Sequence, residues 1–139
     1  MIALTFFLPI LIGAGGNAGT QSATVVIRGL ATEDIKPFDF VKVIWRESLL
    51  GVFIGLILAF FGFLRALFQQ GDWWLSVCVG ISMGFTILLS TTIGAMLPLI
   101  FRKLKVDPAL MSGPLITTIV DVSGIIIYFE IAQFLFNFR

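Results

Sequence analysis

The sequence predicts an all-α membrane protein: a polytopic helical bundle with four membrane segments. Three observations carry that prediction. Of 139 residues, 58% are hydrophobic, and the mean hydropathy is +1.07. Only 12% are charged, against about 25% in a soluble domain. Four apolar segments each reach the ~20 residues a helix needs to cross a bilayer.

Composition also excludes several functions. Acids and bases nearly cancel at a formal net charge of +1, which argues against nucleic acid or an acidic partner. There is no histidine, and Cys78 is the only cysteine. Internal disulfides and Cys/His zinc sites are therefore ruled out. A bound metal would have to be held by oxygen, which favours hard cations such as Mg²⁺ or Ca²⁺. With no nucleophile–base pair and no phosphate-binding glycine loop before a soluble helix, an enzyme is not expected.

The first segment runs from about Ile2 to Ile27. Its opening, MIALTFFLPILIG, has the look of a signal peptide. No basic stretch precedes it, however, and GGNAGTQS is a poor cleavage site, so a spanning helix is expected. Because the chain opens almost inside the membrane, a further upstream segment is expected. Gly13, Gly15, Gly16 and Gly19 surround Asn17, Thr20 and Gln21. Each glycine weakens a helix by roughly 1 kcal/mol relative to alanine, so a broken helix with exposed carbonyls is expected here. Irregular backbone at membrane depth must be buried or line a water-filled cavity. Tight packing, with Asn17 and Gln21 bonded across helices, is the other reading.

Between the first two segments lies ATEDIKPFDFVKVIWRE. Phe38, Val41, Ile44 and Trp45 fall at helical spacing, which predicts an amphipathic helix lying at the interface. Pro37 suits its first turn, with Asp34 or Lys36 near the cap. The second segment, Leu49 to Phe68, contains GVFIG with Gly51 and Gly55 at the small-xxx-small spacing, and Gly62 beyond; close helix packing is expected. Arg65 near its end can snorkel to the outer interface. The third segment, Trp73 to Phe101, carries Ser82, Thr86 and Ser90 at i, i+4 steps, then Thr91, Thr92, Gly94 and Pro98. That stripe packs against neighbouring helices or lines a wet path, and packing is the preferred reading.

The fourth segment runs from Leu110 to Phe138, with Asp121 deep inside it. A carboxylate near the bilayer midplane costs about 2.5–3.5 kcal/mol on insertion scales. Proton uptake, a polar partner or a bound cation must offset that. Since intramembrane acids mark ion or proton pathways, Asp121 is the first functional candidate, a structural acid being the alternative. On a helix, Gly113, Thr117, Asp121, Gly124 and Tyr128 share one face. Glu130 falls about 180° away from Asp121, so the two cannot pair within one chain.

Orientation follows from the loop cations. Arg28, Lys36, Lys42, Arg46, Arg102, Lys103 and Lys105 gather on one side, against Arg65 and Arg139 on the other. This puts the longer loops in the cytoplasm and both chain ends outside it. For a polypeptide that starts in the cytoplasm, one span is expected ahead of Met1. Trp45, Trp73 and Trp74 suit interfacial anchors.

Two stretches, FFLPILIGAGGNAGTQSATVVIRGLA and LPLIFRKLKVDPALMSGPLITTIVDVSGIIIYF, carry the patterns PxxxGxGGNxGxQ and DPA…SGP…TTxxDxxG. They resemble the transmembrane domain of MgtE-type magnesium channels and transporters. The resemblance covers nearly all of residues 1–139. It implies a domain of five membrane helices, here helices two to five, assembled as a homodimer in a bacterial inner (plasma) membrane. It also implies that the first helix and the cytosolic regulatory domains (a helical domain and paired nucleotide-binding-like CBS domains) lie outside this stretch. The ion path is then built from the second and fifth helices. Asp121 corresponds to the pore-metal acid and Gly13 and Gly16 to the glycine-rich pore wall. Asn17 lies beside those glycines, and Thr117 one turn from the acid.

The expected function is Mg²⁺ transport into the cytoplasm by a channel-like mechanism. In a two-fold dimer, two copies of Asp121 would surround one divalent ion, which keeps several of its waters. A proton- or Na⁺-coupled exchanger, in which Asp121 alternates between ions, is the alternative. A non-transporting membrane subunit using its glycine faces for assembly is a third class.

Overall fold

The computed structural model describes residues 2–36, 39–107 and 113–137. Its elements are α1 (Ile2–Thr5), α2 (Leu8–Ala31), α3 (Phe40–Gln70), α4 (Trp73–Lys103) and α5 (Gly113–Asn137), with no strand among the described residues. The last four helices are long and apolar enough to cross a membrane, in agreement with the four segments read from the sequence. The expected roles of Pro37 and Phe38, the stretch 108–112 and Arg139 fall outside the described residues.

α4 is the central post. It is buried along its length from Leu75 to Leu99 and packs against α2, α3 and α5, while α2 also packs against α5. α3 leans mainly on α4 and meets α2 through its first turns. Its outer face shows Phe53, Leu56, Ile57, Phe60 and Phe61, each 57–64% exposed. An apolar surface of that extent suits lipid rather than water.

The first segment is interrupted, but not at the glycine run. Gly13 to Gly19 are helical throughout, and the break falls between Thr5 and Leu8. Pro9 explains it: proline has no N–H to bond the carbonyl four residues back, and its ring clashes with that carbonyl. That residue is Thr5, where α1 ends. Proline is tolerated in the first turn of the next helix, which is where α2 holds it.

The glycines are helical because neighbouring backbones need the space. At the α2–α4 crossing, a methyl on Gly94 would strike the Gly19 carbonyl oxygen, and one on Gly19 would come within 3.1 Å of the Ser90 carbonyl oxygen. At the α3–α4 crossing, a methyl on Gly55 would lie 2.9 Å from the Gly84 carbonyl oxygen, and one on Gly51 would strike Thr91 Oγ1. The spacing of Gly51 and Gly55 thus marks close packing, as expected.

The predicted interfacial helix is not a separate element. From Phe40 it continues without a break into the second span, and its N-cap is Asp39 rather than Asp34 or Lys36. Asp39 Oδ2 accepts the Lys36 N–H at 3.0 Å. At 31 residues, α3 is about 46 Å long, against ~30 Å of hydrocarbon, so its charged first turns reach the interface. The inward face also differs from the expected one. Phe40, Val43 and Ile44 pack against Val26, Leu30, Ala95 and Leu99, whereas Val41 and Trp45 are 77% and 71% exposed.

Ser82, Thr86 and Ser90 are all buried. Thr86 is wedged where side chains on Gly15 of α2 and Gly124 of α5 would stand. The polar stripe of α4 is therefore packed inside the bundle, the reading preferred from sequence. At the other end, the buried Tyr128 hydroxyl donates to the Leu4 carbonyl at 3.0 Å and ties α5 to α1. Gly71, at φ +66°, turns α3 into α4, and Asp72 caps α4 by accepting the N–H groups of Trp74 and Leu75.

Candidate metal centre

The buried face of α5 is Ile116, Val120, Gly124, Tyr128 and Ala132, a run of i, i+4 steps. The face proposed from sequence was rotated from this one. Gly124 and Tyr128 point into the bundle, while Thr117 and Asp121 flank that face and are half-buried.

Across from them α2 presents Gly16. A methyl group there would sit 3.6 Å from Asp121 Oδ1 and 3.6 Å from Thr117 Cγ2, so no side chain of α2 occupies that space. Thr117 Oγ1 lies 3.0 Å from the Pro114 carbonyl and 3.3 Å from the Gly113 carbonyl. Its single proton goes to one of them, and its oxygen keeps capacity to accept. Asp121, Thr117 and Gly16, three of the five residues singled out from sequence, thus come together.

The other two adjoin them. Gly13 and Asn17 are exposed, and among the described residues no neighbouring helix comes within 4 Å of where a side chain on Gly13 would begin. With Thr20 and Thr24 they form an i, i+4, i+7, i+11 stripe beside Gly16. Thr20 donates to the Gly16 carbonyl at 2.8 Å, which holds that carbonyl to its own helix. The result is an open face, shared by α2 and α5, that carries amides, hydroxyls and one carboxylate.

Such a face is unsuited to lipid. Acids within a membrane face a bundle interior or a water-filled cavity. Among the described residues, no three His, Cys, Asp or Glu side chains gather into a metal-binding group. What one chain offers is a single carboxylate with neutral oxygens around it. That donor set suits a hard divalent ion retaining most of its water.

One buried acid was missed from sequence. Glu47 is only 8% exposed, and its Oε2 lies 2.7 Å from Ser22 Oγ, which is 2.9 Å from the Thr91 carbonyl oxygen. The signal was present: Glu47 continues the inward series Phe40, Val43, Ile44 by one more turn. Between Arg46 and Ser48 it reads as an interfacial charge instead.

A model of the MgtE family, described as a divalent cation transporter, matches residues 8–131. The magnesium transporter MgtE of Thermus thermophilus is 42% identical over 133 residues, covering 96% of this chain and 29% of that protein. Its namesake in Bacillus subtilis is 42% identical over 132 residues, covering 95% and 29%. The Enterococcus faecalis protein of the same name is 36% identical over 134 residues, covering 94% and 29%. This chain therefore spans under a third of the length of these relatives. The matched stretch runs from the start of α2 into the last turns of α5 and takes in Gly13, Gly16, Asn17, Thr117 and Asp121. By that match and those identities, the chain belongs to the MgtE family of divalent cation transporters.

Proposed function

We propose that this domain carries Mg²⁺ across a bacterial inner membrane into the cytoplasm, through a channel-like path between two copies of the chain. The observation that carries the proposal is the Asp121 carboxylate beside Gly16 and Thr117 on the open α2–α5 face. A second copy set against that face would shield it from lipid and bring a second carboxylate to the same axis. Two negative charges then balance one divalent ion, and Asn17 with the hydroxyls of the stripe contacts its water shell. Few direct ligands keep the ion loosely enough held to leave again, which conduction requires. The membrane potential drives two charges inward with about 4.6 kcal/mol per 100 mV. The relatives' name as magnesium transporters supports the choice of ion.

The test is Mg²⁺ uptake into proteoliposomes under an imposed potential, comparing the parent with Asp121→Asn. The expected result is flux in the parent, insensitive to a pH gradient, and flux reduced to background by asparagine. Equal flux in both would remove Asp121 from the path. Flux that follows a pH or Na⁺ gradient rather than the potential would replace the channel by an exchanger.

A further inference from the structure

Three spanning helices meet at one buried hydroxyl. Ser22 on α2 contacts the Glu47 carboxyl of α3 and the Thr91 carbonyl of α4. One residue on along each helix, Ser48 and Thr92 are hydrogen-bonded at 2.9 Å, a further link between α3 and α4. Gly51 follows, its missing side chain giving way to Thr91 Oγ1. Among the described residues, Glu47 is the only buried one with an ionisable carboxyl or a basic group. It lies away from the open face, because Ser22 is about 140° around α2 from Asn17.

We infer that Glu47 is a positioning residue for the ion path: by holding Ser22, it sets the height and rotation of α2, and hence where Gly16 and Asn17 stand relative to Asp121. This rests on the transport function proposed above. Ser22 and Gly16 are six residues apart on one continuous helix, so they move together. Against α3, α2 otherwise has the apolar packing of Val26 and Leu30 on Phe40, Val43 and Ile44, which is less directional than a hydrogen bond. A shift of about 1 Å along the 2.7 Å hydrogen bond stretches it beyond bonding distance, and a shift of that size would move Gly16 against the Asp121 carboxylate. The Ser22 hydroxyl has one proton and two acceptor neighbours. Glutamine at 47 would donate its amide N–H to Ser22 Oγ and leave the hydroxyl proton for Thr91, so Glu47→Gln should preserve the link that Glu47→Ala removes.

The experiment measures Mg²⁺ flux against Mg²⁺ concentration in proteoliposomes, per folded protein, for the parent, Glu47→Gln, Glu47→Ala, Ser22→Ala and the double alanine variant. Thermal unfolding of the same samples is followed in parallel. The half-saturating Mg²⁺ concentration should rise about fivefold in either alanine variant, the equivalent of one hydrogen bond. It should rise no further in the double variant, as expected of two residues acting as one unit, and return to within about twofold of the parent in Glu47→Gln. Alanine variants that give less folded protein but an unchanged half-saturation would reduce Glu47 to a stability residue and overturn the inference. Glutamine as damaging as alanine would overturn it too, since charge rather than the hydrogen bond would then matter. If Glu47→Ala does not fold, Ser22→Ala carries the test. A parent without flux refutes the proposed function instead. The unfolding data then decide the clasp alone: non-additive losses uphold it and additive losses overturn it.

Discussion

Gly16→Ala separates packing from conduction by opposite signs. The added methyl would meet Asp121 Oδ1 and Thr117 Cγ2 at 3.6 Å each, ordinary van der Waals contact that asks nothing to move. Replacing glycine by alanine inside a helix gains about 0.8–1.0 kcal/mol, so the variant should unfold at the same temperature as the parent or higher. Conduction should suffer. A carbon 3.6 Å from the carboxylate oxygen takes the space of a water that would bridge acid and ion, and displacing an ordered water with a group that cannot replace its hydrogen bonds weakens binding. A loss of about 1.4 kcal/mol is tenfold in rate, and a tenfold drop in Mg²⁺ flux is the expected scale. Gly15→Ala is the control. Its methyl would lie 2.8 Å from Thr86 Cγ2 and 3.1 Å from Val120 Cγ1, an overpacking that costs about 1–3 kcal/mol. Thermal unfolding in detergent and flux in proteoliposomes are measured on both. Parent-like flux in Gly16→Ala, or a loss of stability equal to that of Gly15→Ala, would refute the assignment of Gly16 to the wall beside the acid.

Two further substitutions test the bundle itself. Thr86 Oγ1 is buried with no hydrogen-bond partner among the described residues, so Thr86→Val, which removes that polar atom at constant shape, should leave stability unchanged or raise it by about 1 kcal/mol; a fall in unfolding temperature would show that the hydroxyl is satisfied. Tyr128→Phe deletes the hydrogen bond to the Leu4 carbonyl and should lower stability by about 1–3 kcal/mol, with flux per folded protein unchanged; unfolding and flux on the same preparation check both halves.

The spans were legible because twenty apolar residues leave few alternatives in a membrane. Asp121 was legible because a carboxylate there is conspicuous. Helix rotation was not. Whether Gly15 or Gly16 borders the acid depends on which side of α2 meets α4, and residues 100° apart around a helix share the same local composition. The expected break at the glycine run failed for a related reason: propensity disfavours a glycine-rich helix, but the close α2–α4 crossing rewards one, and Pro9 had already placed the break a turn earlier. The interfacial helix failed through phase. Phe38, Val41, Ile44 and Trp45 make a fair apolar stripe, yet Phe40, Val43, Ile44 and Glu47 make another, and only contact with Leu30 and Leu99 selects between them. Glu47 was lost with that choice.

The short turn at Gly71 has a consequence for how the bundle is made. With two residues between them, α3 and α4 can pair as a hairpin as soon as both have been synthesised, the kind of local contact that forms fast. α2 cannot wait beside its neighbour in sequence, because its close partner is α4, one helix further on. It is also the least apolar of the four spans and carries the polar stripe. Of these four spans, the least apolar is thus the one that waits for a close partner that is not its next neighbour in sequence.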